Sequence, residues 1–186
     1  MTIDEFIADA TRRMDKSVES AQHEFNTLRT GRASAALLDR IQIDYYGTKT
    51  PLNQLASINA PEPRLLTVQP FDPSSLPSIE RTIQESDLGL TPSNDGKIIR
   101  LPIPQLTEER RKELVKVARQ MAEDGRVAVR NVRRDVMHHL KELVDKGEVG
   151  SDEEHRAEDR VQKLTDQHVT EIDELLRRKE AEIMEV

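Results

Sequence analysis

The residues best suited to binding chemistry are basic side chains that recur along the segment 112–134. Successive members stand 4, 3, 7, 4, 3 and 1 residues apart, so on a helix, at about 100° per residue, they fall within an arc of about 100°. A straight line of cations matches the line of charges along a nucleic-acid backbone. Five of the seven are arginine, whose planar fork can hold phosphate with two hydrogen bonds. We name these residues the basic stripe: Lys112, Lys116, Arg119, Arg126, Arg130, Arg133 and Arg134.

The same spacing has a plainer interpretation, a solvated helix face whose cations form salt bridges. Glu109 and Glu113 could pair with part of the stripe, and Glu123 and Asp135 interrupt or flank it. The protein would then be a coiled-coil-like adaptor whose charged faces bind other proteins. On either interpretation, six apolar residues are predicted to point away from the stripe and into a helical bundle: Leu114, Ala118, Met121, Ala128, Val132 and Val136.

The distribution of charge favours a nucleic-acid partner more than the net charge does. The whole chain carries −7, which by itself argues against a polyanion. Residues 107–134, however, hold nine basic against five acidic side chains, whereas residues 142–186 hold seven basic against fifteen acidic. This clustering, and not the total, sets the local field. Aromatic residues make up only 3%, so stacking on unpaired bases is not expected to be the main binding mode.

No set of residues predicts catalysis, a metal site or a cofactor. The chain has no cysteine, which excludes thiolate ligands, cysteine nucleophiles and disulfides. Asp135, His138 and His139 have a spacing that could hold a metal, but the two histidines face different sides of a helix, and such triples arise by coincidence in charged helices. His168 lies on an apolar stripe and is predicted to be a core histidine. The glycines are scattered, so no phosphate loop is present. We therefore predict a protein that is not an enzyme.

The prolines define the elements that must carry the stripe. All nine lie between Pro51 and Pro104, and proline breaks helices, so only the flanks can form long helices. Apolar periodicity and capping signals predict helices over about 2–29, from Thr107 to about Lys146, and from Ser151 or Asp152 to about Met184. Three long amphipathic helices predict an elongated bundle.

The middle of the chain is predicted to form a small strand-rich domain. Alternation over 41–46 indicates a strand, with further short strands at 55–59, 64–69 and 97–102 and a short helix over Ser78–Ser86. The fold class is therefore α+β: a discontinuous bundle of residues 1–30 and 105–186 with an inserted β/α/β domain, 31–104. The two connections are short and contain Gly or Pro, so we predict a hinge at Thr30, Gly31, Arg32, Pro102, Ile103, Pro104 and Gln105.

The location and oligomeric state are expectations only. The first ten residues contain three carboxylates and lack a basic start followed by an apolar run, so they do not resemble a signal peptide. No stretch is apolar enough to span a membrane. We expect a cytoplasmic monomer.

Six motifs spread over the whole chain resemble the ribosome recycling factor family of bacteria. Each is weak alone, but they occur in the family's order with no gap, which makes the set specific. They are Leu28-Arg29-Thr30-Gly31-Arg32-Ala33, Tyr45-Tyr46-Gly47-Thr48, Ser86-Asp87-Leu88-Gly89-Leu90, Leu106-Thr107-Glu108-Glu109-Arg110-Arg111-Lys112, the segment Arg126 to Asp135, and Gln162-Lys163-Leu164-Thr165-Asp166.

The resemblance implies an L-shaped protein whose three-helix bundle forms one arm and whose inserted domain forms the other. It implies binding across the subunit interface of the post-termination ribosome, with the bundle against large-subunit rRNA. Ribosome disassembly would then follow with elongation factor G and GTP. Arg133 matches the family's key ribosome-binding arginine. The positions that match its supporting residues are Arg29, Arg32, Arg110, Arg130 and Arg134.

Overall fold

The computed structural model describes residues 1–185 and has an α+β fold. In chain order the elements are helix α1 (Ile3–Asn26), strands β1 (Gln42–Tyr45) and β2 (Thr48–Pro51), helix α2 (Leu52–Leu55), strands β3 (Ala56–Glu62) and β4 (Leu65–Pro70), helix α3 (Leu76–Glu85), strands β5 (Ser93–Asn94) and β6 (Ile99–Pro102), and helices α4 (Glu108–Asp145) and α5 (Ser151–Met184). Short 3-10 turns cover Ala35–Leu38 and Pro73–Ser75.

The chain divides into two compact units. One consists of Met1–Arg29 together with the segment that begins at Glu108, and the other is Thr30–Thr107. The two boundaries between the units lie within three residues of the predicted ones, which follow residues 30 and 104. Within residues 1–185, no helix combines the length and the apolar character needed to cross a bilayer.

The first unit is a bundle of α1, α4 and α5, and local signals set the ends of its helices. The Thr2 hydroxyl accepts a hydrogen bond from the Glu5 amide (3.2 Å), and the Glu5 carboxylate accepts one from the Thr2 amide (2.8 Å). This is the capping box that the sequence predicts. α1 ends at Asn26, three residues earlier than predicted. Between α4 and α5 the chain turns at Gly147, which has a φ of +70°, a conformation that glycine adopts without strain.

Small residues bring the three helices of the bundle together at its middle. Gly125 lies on the buried face of α4, and a Cβ atom there would lie 3.2 Å from the Cβ of Ala21 on α1 and 3.1 Å from the Cδ1 of Ile172 on α5. Glycine in a helix costs about 1 kcal/mol relative to alanine. Here it permits a close approach of all three helices, which explains its place inside a long helix.

The second unit is built on two antiparallel sheets. β1 and β2 form a hairpin, and β3, β4, β6 and β5 form a four-stranded sheet in that order. The second strand of the hairpin was not predicted, because Thr48–Pro51 lacks apolar alternation. Strand β5 was not predicted either, because it is only two residues long. The predicted strands near 43, 57, 67 and 100 and the predicted helix near 80 are confirmed. The core of this unit includes Ile43, Leu66, Ile79, Ile83 and Leu101.

Several residues of the predicted hinge are held within the second unit. Pro102 is the last residue of β6 and pairs with Leu65, and the Ile103 amide donates to the Arg64 carbonyl (2.8 Å). Gly31 has a φ of +78°, and a Cβ atom there would lie 3.0 Å from the Cγ of Leu106. The hinge itself remains a prediction.

Candidate nucleic-acid interface

The basic stripe lies beside the buried face of α4 and not opposite to it. At about 100° per residue, the buried positions cover an arc of roughly 80°, and Arg133 follows about 20° beyond its edge. The prediction that the apolar face points away from the stripe is therefore wrong in its angle. Met121 and Ala128 are only half-buried. The buried face includes the small residues Ala122 and Gly125, which a search for large apolar side chains does not find. The buried residues of α4 are Leu114, Ala118, Ala122, Gly125, Val129, Val132, Val136, Leu140 and Leu143.

This position turns three stripe arginines toward α5. Arg119 donates through Nε to Glu180 (2.9 Å), and Arg126 donates through Nε to Asp173 (2.7 Å). Arg133 is half-buried and donates through Nη1 to a neutral acceptor, the Oε1 atom of Gln162 (3.2 Å). Of the three arginines nearest the core, Arg119 and Arg126 are thus paired with carboxylates, as the salt-bridge interpretation expects. Arg133 is not.

Glu123 pairs with two further guanidinium groups of the same helix. Its Oε2 atom lies 3.0 Å from Arg126 Nη1 and its Oε1 atom 3.5 Å from Arg130 Nη1. The pKa of Arg126 lies above its ordinary value. Partial burial alone would lower this pKa, but the hydrogen bonds that Arg126 donates to Asp173 and Glu123, together with their negative charges, outweigh burial. Arg126 therefore stays charged, and it is the stripe residue most fully neutralised by its neighbours.

Other stripe cations point into solvent. Lys116 and Arg134 are exposed and form no hydrogen bond or ion pair within residues 1–185. The Nζ atom of Lys112 lies 3.4 Å from Oε1 of Glu108, and both side chains of this pair are exposed. Exposed pairs contribute only about 0–1 kcal/mol each. A phosphate could therefore displace Glu108 or Glu123 at little cost, so the stripe as a whole remains available to an anionic ligand.

The three remaining predicted binding residues lie off the stripe. Arg110 falls roughly 160° from Lys112 around α4, and its Nη1 atom lies 2.9 Å from Glu113. Arg29 is exposed just after α1, at the end of the first unit, whereas Arg32 is exposed in the second unit. These three belong to the candidate site only through the family resemblance.

Comparison with known proteins identifies the family. The chain matches the family model described as "Ribosome recycling factor" over residues 21–184. The chain belongs to the ribosome recycling factor family. It is 60% identical to the ribosome-recycling factor of Rubrobacter xylanophilus over 180 residues, which cover 97% of each chain. It is 56% identical to that of Thermosynechococcus vestitus over 97% of this chain and 99% of the other. The members of this family are translation factors and not enzymes.

Two solved structures of ribosome recycling factors share the fold. A solution structure has a TM-score of 0.75 and 42% identity, covering 99% of this chain and 98% of the other. The second is the Thermus thermophilus factor, described together with Escherichia coli elongation factor G bound to the Escherichia coli post-termination complex. It has a TM-score of 0.66 and 48% identity over the whole of both chains.

The carboxylate expected to flank the stripe is held on the opposite flank of α4. Asp135 accepts a hydrogen bond from Arg13 of α1 (2.6 Å), and this bond is the main reason that the pKa of Asp135 lies below its ordinary value. The role of Arg13 cannot be recognised in the sequence, because the pairing depends on the packing of α1 against α4. Asp135 therefore does not neutralise the stripe.

The histidines do not form a ligand set in the described part of the chain. No group of three His, Cys, Asp or Glu residues is placed to hold a metal ion there. His139 stacks on Phe6 of α1, with ring centroids 5.3 Å apart. His168 is buried, and its two ring nitrogens lie 2.7 Å from the Leu164 carbonyl and 2.6 Å from the Asp15 carboxylate. The prediction of a core histidine with satisfied nitrogens is confirmed.

Proposed function

We propose that the protein binds large-subunit rRNA at the subunit interface of the post-termination ribosome, and that it does so through the basic stripe. With elongation factor G and GTP it promotes disassembly, so that the ribosome can begin a new round of translation. The observation that carries this proposal is the set of stripe cations without a carboxylate partner: Lys116, Arg133 and Arg134. Membership of the ribosome recycling factor family supports it, as does the solved relative described with elongation factor G on a post-termination complex.

The stripe suits a phosphate backbone in length and in charge. From Lys112 to Arg134 it extends for about 33 Å, at about 1.5 Å per residue. Docking would exchange weak pairs such as Arg130 with Glu123 for charge-assisted bonds to phosphate, which are stronger than neutral hydrogen bonds. Each phosphate neutralised also releases counterions, so binding becomes steeply dependent on salt.

The second unit acts on the bound ribosome as the moving part. We place the hinge at the predicted connections, 30–32 and 102–105. Because Pro102 and Ile103 are bonded within the second unit, the second connection bends at the residues that follow them. Elongation factor G pushes on the inserted unit, and the resulting strain breaks contacts between the ribosomal subunits. The protein works as a cytoplasmic monomer in this scheme, and the energy comes from GTP hydrolysis on the elongation factor.

The adaptor function is the alternative, and one observation favours it. Arg119 and Arg126 are already paired with carboxylates of α5, as expected for a bundle face that is complete by itself. A face of this kind would bind protein partners with little dependence on rRNA.

Co-sedimentation with vacant 70S ribosomes at several salt concentrations separates the two functions. The proposal expects binding whose logarithm falls linearly with log salt, by about 0.7–0.9 per phosphate contact, together with protection of large-subunit rRNA from chemical probing. Binding that is independent of salt, or protection confined to ribosomal proteins, would support the adaptor function instead.

A further inference from the structure

The contacts between α4 and α5 follow a regular register. The two helices are antiparallel, so a step of seven residues along α4 matches a step of seven back along α5. Arg119 bonds Glu180 and Arg126 bonds Asp173, and these pairs differ by one such step. The next step places Arg133 opposite Asp166. By register alone, Arg133 would therefore be the third arginine neutralised by α5.

The third ion pair is absent from residues 1–185, and Gln162 is hydrogen-bonded to both of its members. The carboxamide oxygen of Gln162 accepts a hydrogen bond from Arg133 Nη1 (3.2 Å), and its Nε2 atom donates to Asp166 Oδ1 (2.9 Å). Gln162 and Asp166 are one helical turn apart on α5, so the amide reaches both partners without distortion. A glutamine is suited to this place since one end accepts and the other donates.

The chemical consequence is a difference in charge between otherwise equivalent arginines. Arg119 and Arg126 each meet a carboxylate on α5, whereas Arg133 meets a neutral oxygen that orients the guanidinium and leaves its charge uncompensated. We propose that Gln162 is a positioning residue for RNA binding: it holds Asp166 away from Arg133 and presents Arg133 to phosphate. This inference rests on the proposed function, in which the stripe contacts rRNA.

Loss of the Gln162 amide should convert Arg133 into a neutralised arginine. In Gln162→Leu, Asp166 is free to occupy the position that the register assigns to it and to pair with Arg133. Phosphate must then compete with an internal carboxylate. We expect binding to vacant 70S ribosomes to weaken about two- to fivefold, in line with the strength of a partly exposed ion pair. The slope of log binding constant against log salt concentration should become shallower by roughly 0.7–0.9, which corresponds to the loss of about one phosphate contact.

The double variant Gln162→Leu/Asp166→Asn distinguishes this role from a purely structural one. It removes the competing carboxylate as well as the amide, so the salt slope should return to that of the wild type. Gln162→Glu keeps the side-chain length and supplies a carboxylate directly, so it should also lose about one contact even if the leucine variant folds poorly. Gln120→Leu is the matched control, because Gln120 makes the same bond to Asp124 (2.9 Å) and, within residues 1–185, is not hydrogen-bonded to an arginine. It should bind like the wild type.

The measurements are ribosome co-sedimentation at several salt concentrations and thermal melting of each variant. Wild-type binding by both Gln162→Leu and Gln162→Glu would overturn the role of Gln162. So would a loss in Gln162→Leu that Asp166→Asn does not reverse, since the residue would then serve only packing. Failure of the proposed function gives a different result: Arg133→Ala would itself bind with the affinity and salt slope of the wild type.

Discussion

The two sides of α5 use charge in opposite ways. Toward α4, partly exposed arginines meet carboxylates at the surface, and at Arg133 a neutral glutamine takes the place of a carboxylate. Toward α1, His168 is buried and bonded to Asp15, and the carboxylates that line the groove outside it outnumber the basic residues: Asp15, Glu19, Glu171 and Glu174 against Arg178 and His23. One side therefore leaves cations available to a ligand, whereas the other combines a structural bond with a surface that repels phosphate.

This difference would allow a protein with a net charge of −7 to bind a polyanion, as the proposed function requires. The negative charge is concentrated along α5 and its groove with α1, and the positive charge follows one flank of α4. In the proposed function, an RNA backbone would be attracted to one face and repelled from the other, so charge would contribute to the orientation of binding as well as to its strength. The predictions below test whether the two sides are as distinct as their chemistry suggests.

The largest effect is expected at the buried side. His168→Ala removes a buried ring together with its bonds to Asp15 and to the Leu164 carbonyl, which should lower the free energy of unfolding by about 2–4 kcal/mol. Thermal and urea melts measure this loss. At temperatures where the His168→Ala variant is folded, its ribosome binding should depend on salt concentration as steeply as that of the wild type. A changed slope at unchanged stability would contradict the separation of the two sides.

Arg133→Ala should have the converse effect at the exposed side. The substitution removes a charge-assisted bond to phosphate and should weaken ribosome binding by about 1–3 kcal/mol, while the melting temperature changes little. Arg130→Ala should behave similarly, and the double variant should have a flatter salt slope. The matched control is Arg177→Ala, because Arg177 is exposed on α5 and paired with Glu174 (3.0 Å). If Arg177→Ala weakened binding and Arg133→Ala did not, the stripe would be a solvated face.

Gly125 lies where the two sides meet, and its substitution tests the close approach of the helices. Gly125→Ala would gain helix propensity but would place a Cβ atom within 3.1–3.2 Å of Ile172 and Ala21. Since overpacking costs about 1–3 kcal/mol, we expect a net loss of about 1 kcal/mol in the free energy of unfolding. Gly150→Ala is the control, because a Cβ atom there would meet nothing within 4 Å. A stabilised Gly125→Ala variant would show that the helices separate easily.

The sequence predicts the elements well and their mutual contacts poorly, and particular residues show why. Thr2, Glu5 and Gly147 act locally, so the ends of the long helices are predicted to within about three residues. The buried angle of α4 depends on Ala122 and Gly125, whose small size matters only against two neighbouring helices. The charges of the stripe are visible in the sequence. The role of Gln162 is not, because it requires the register between α4 and α5, which no local pattern encodes.

The smallest effect is a dependence of stability on pH, and it belongs to the buried side. Both ring nitrogens of His168 face acceptors, a carbonyl and a carboxylate. Only the imidazolium can donate from both nitrogens, so these two partners favour the charged ring. Burial alone would lower the pKa of His168. The bonds to Asp15 and Leu164 and the charges of Glu171 and Asp15 outweigh burial, and the pKa lies above its ordinary value.

A raised pKa in the folded state fixes the sign of this dependence. The contribution of His168 to stability is fully present below the pKa of the unfolded chain, about 6.5, and is lost as the pH rises through the higher pKa of the folded protein. The wild type should therefore lose more stability than Asp15→Asn across this interval, because the variant lacks the carboxylate that favours the charged ring. Urea titrations at a series of pH values measure the difference. Ribosome binding compared at the same pH values should not follow it, because within residues 1–185 no stripe residue is hydrogen-bonded or ion-paired to His168. Parallel stability profiles for the two proteins would mean that His168 is neutral in the folded state, and the buried side would then be held by packing instead of charge.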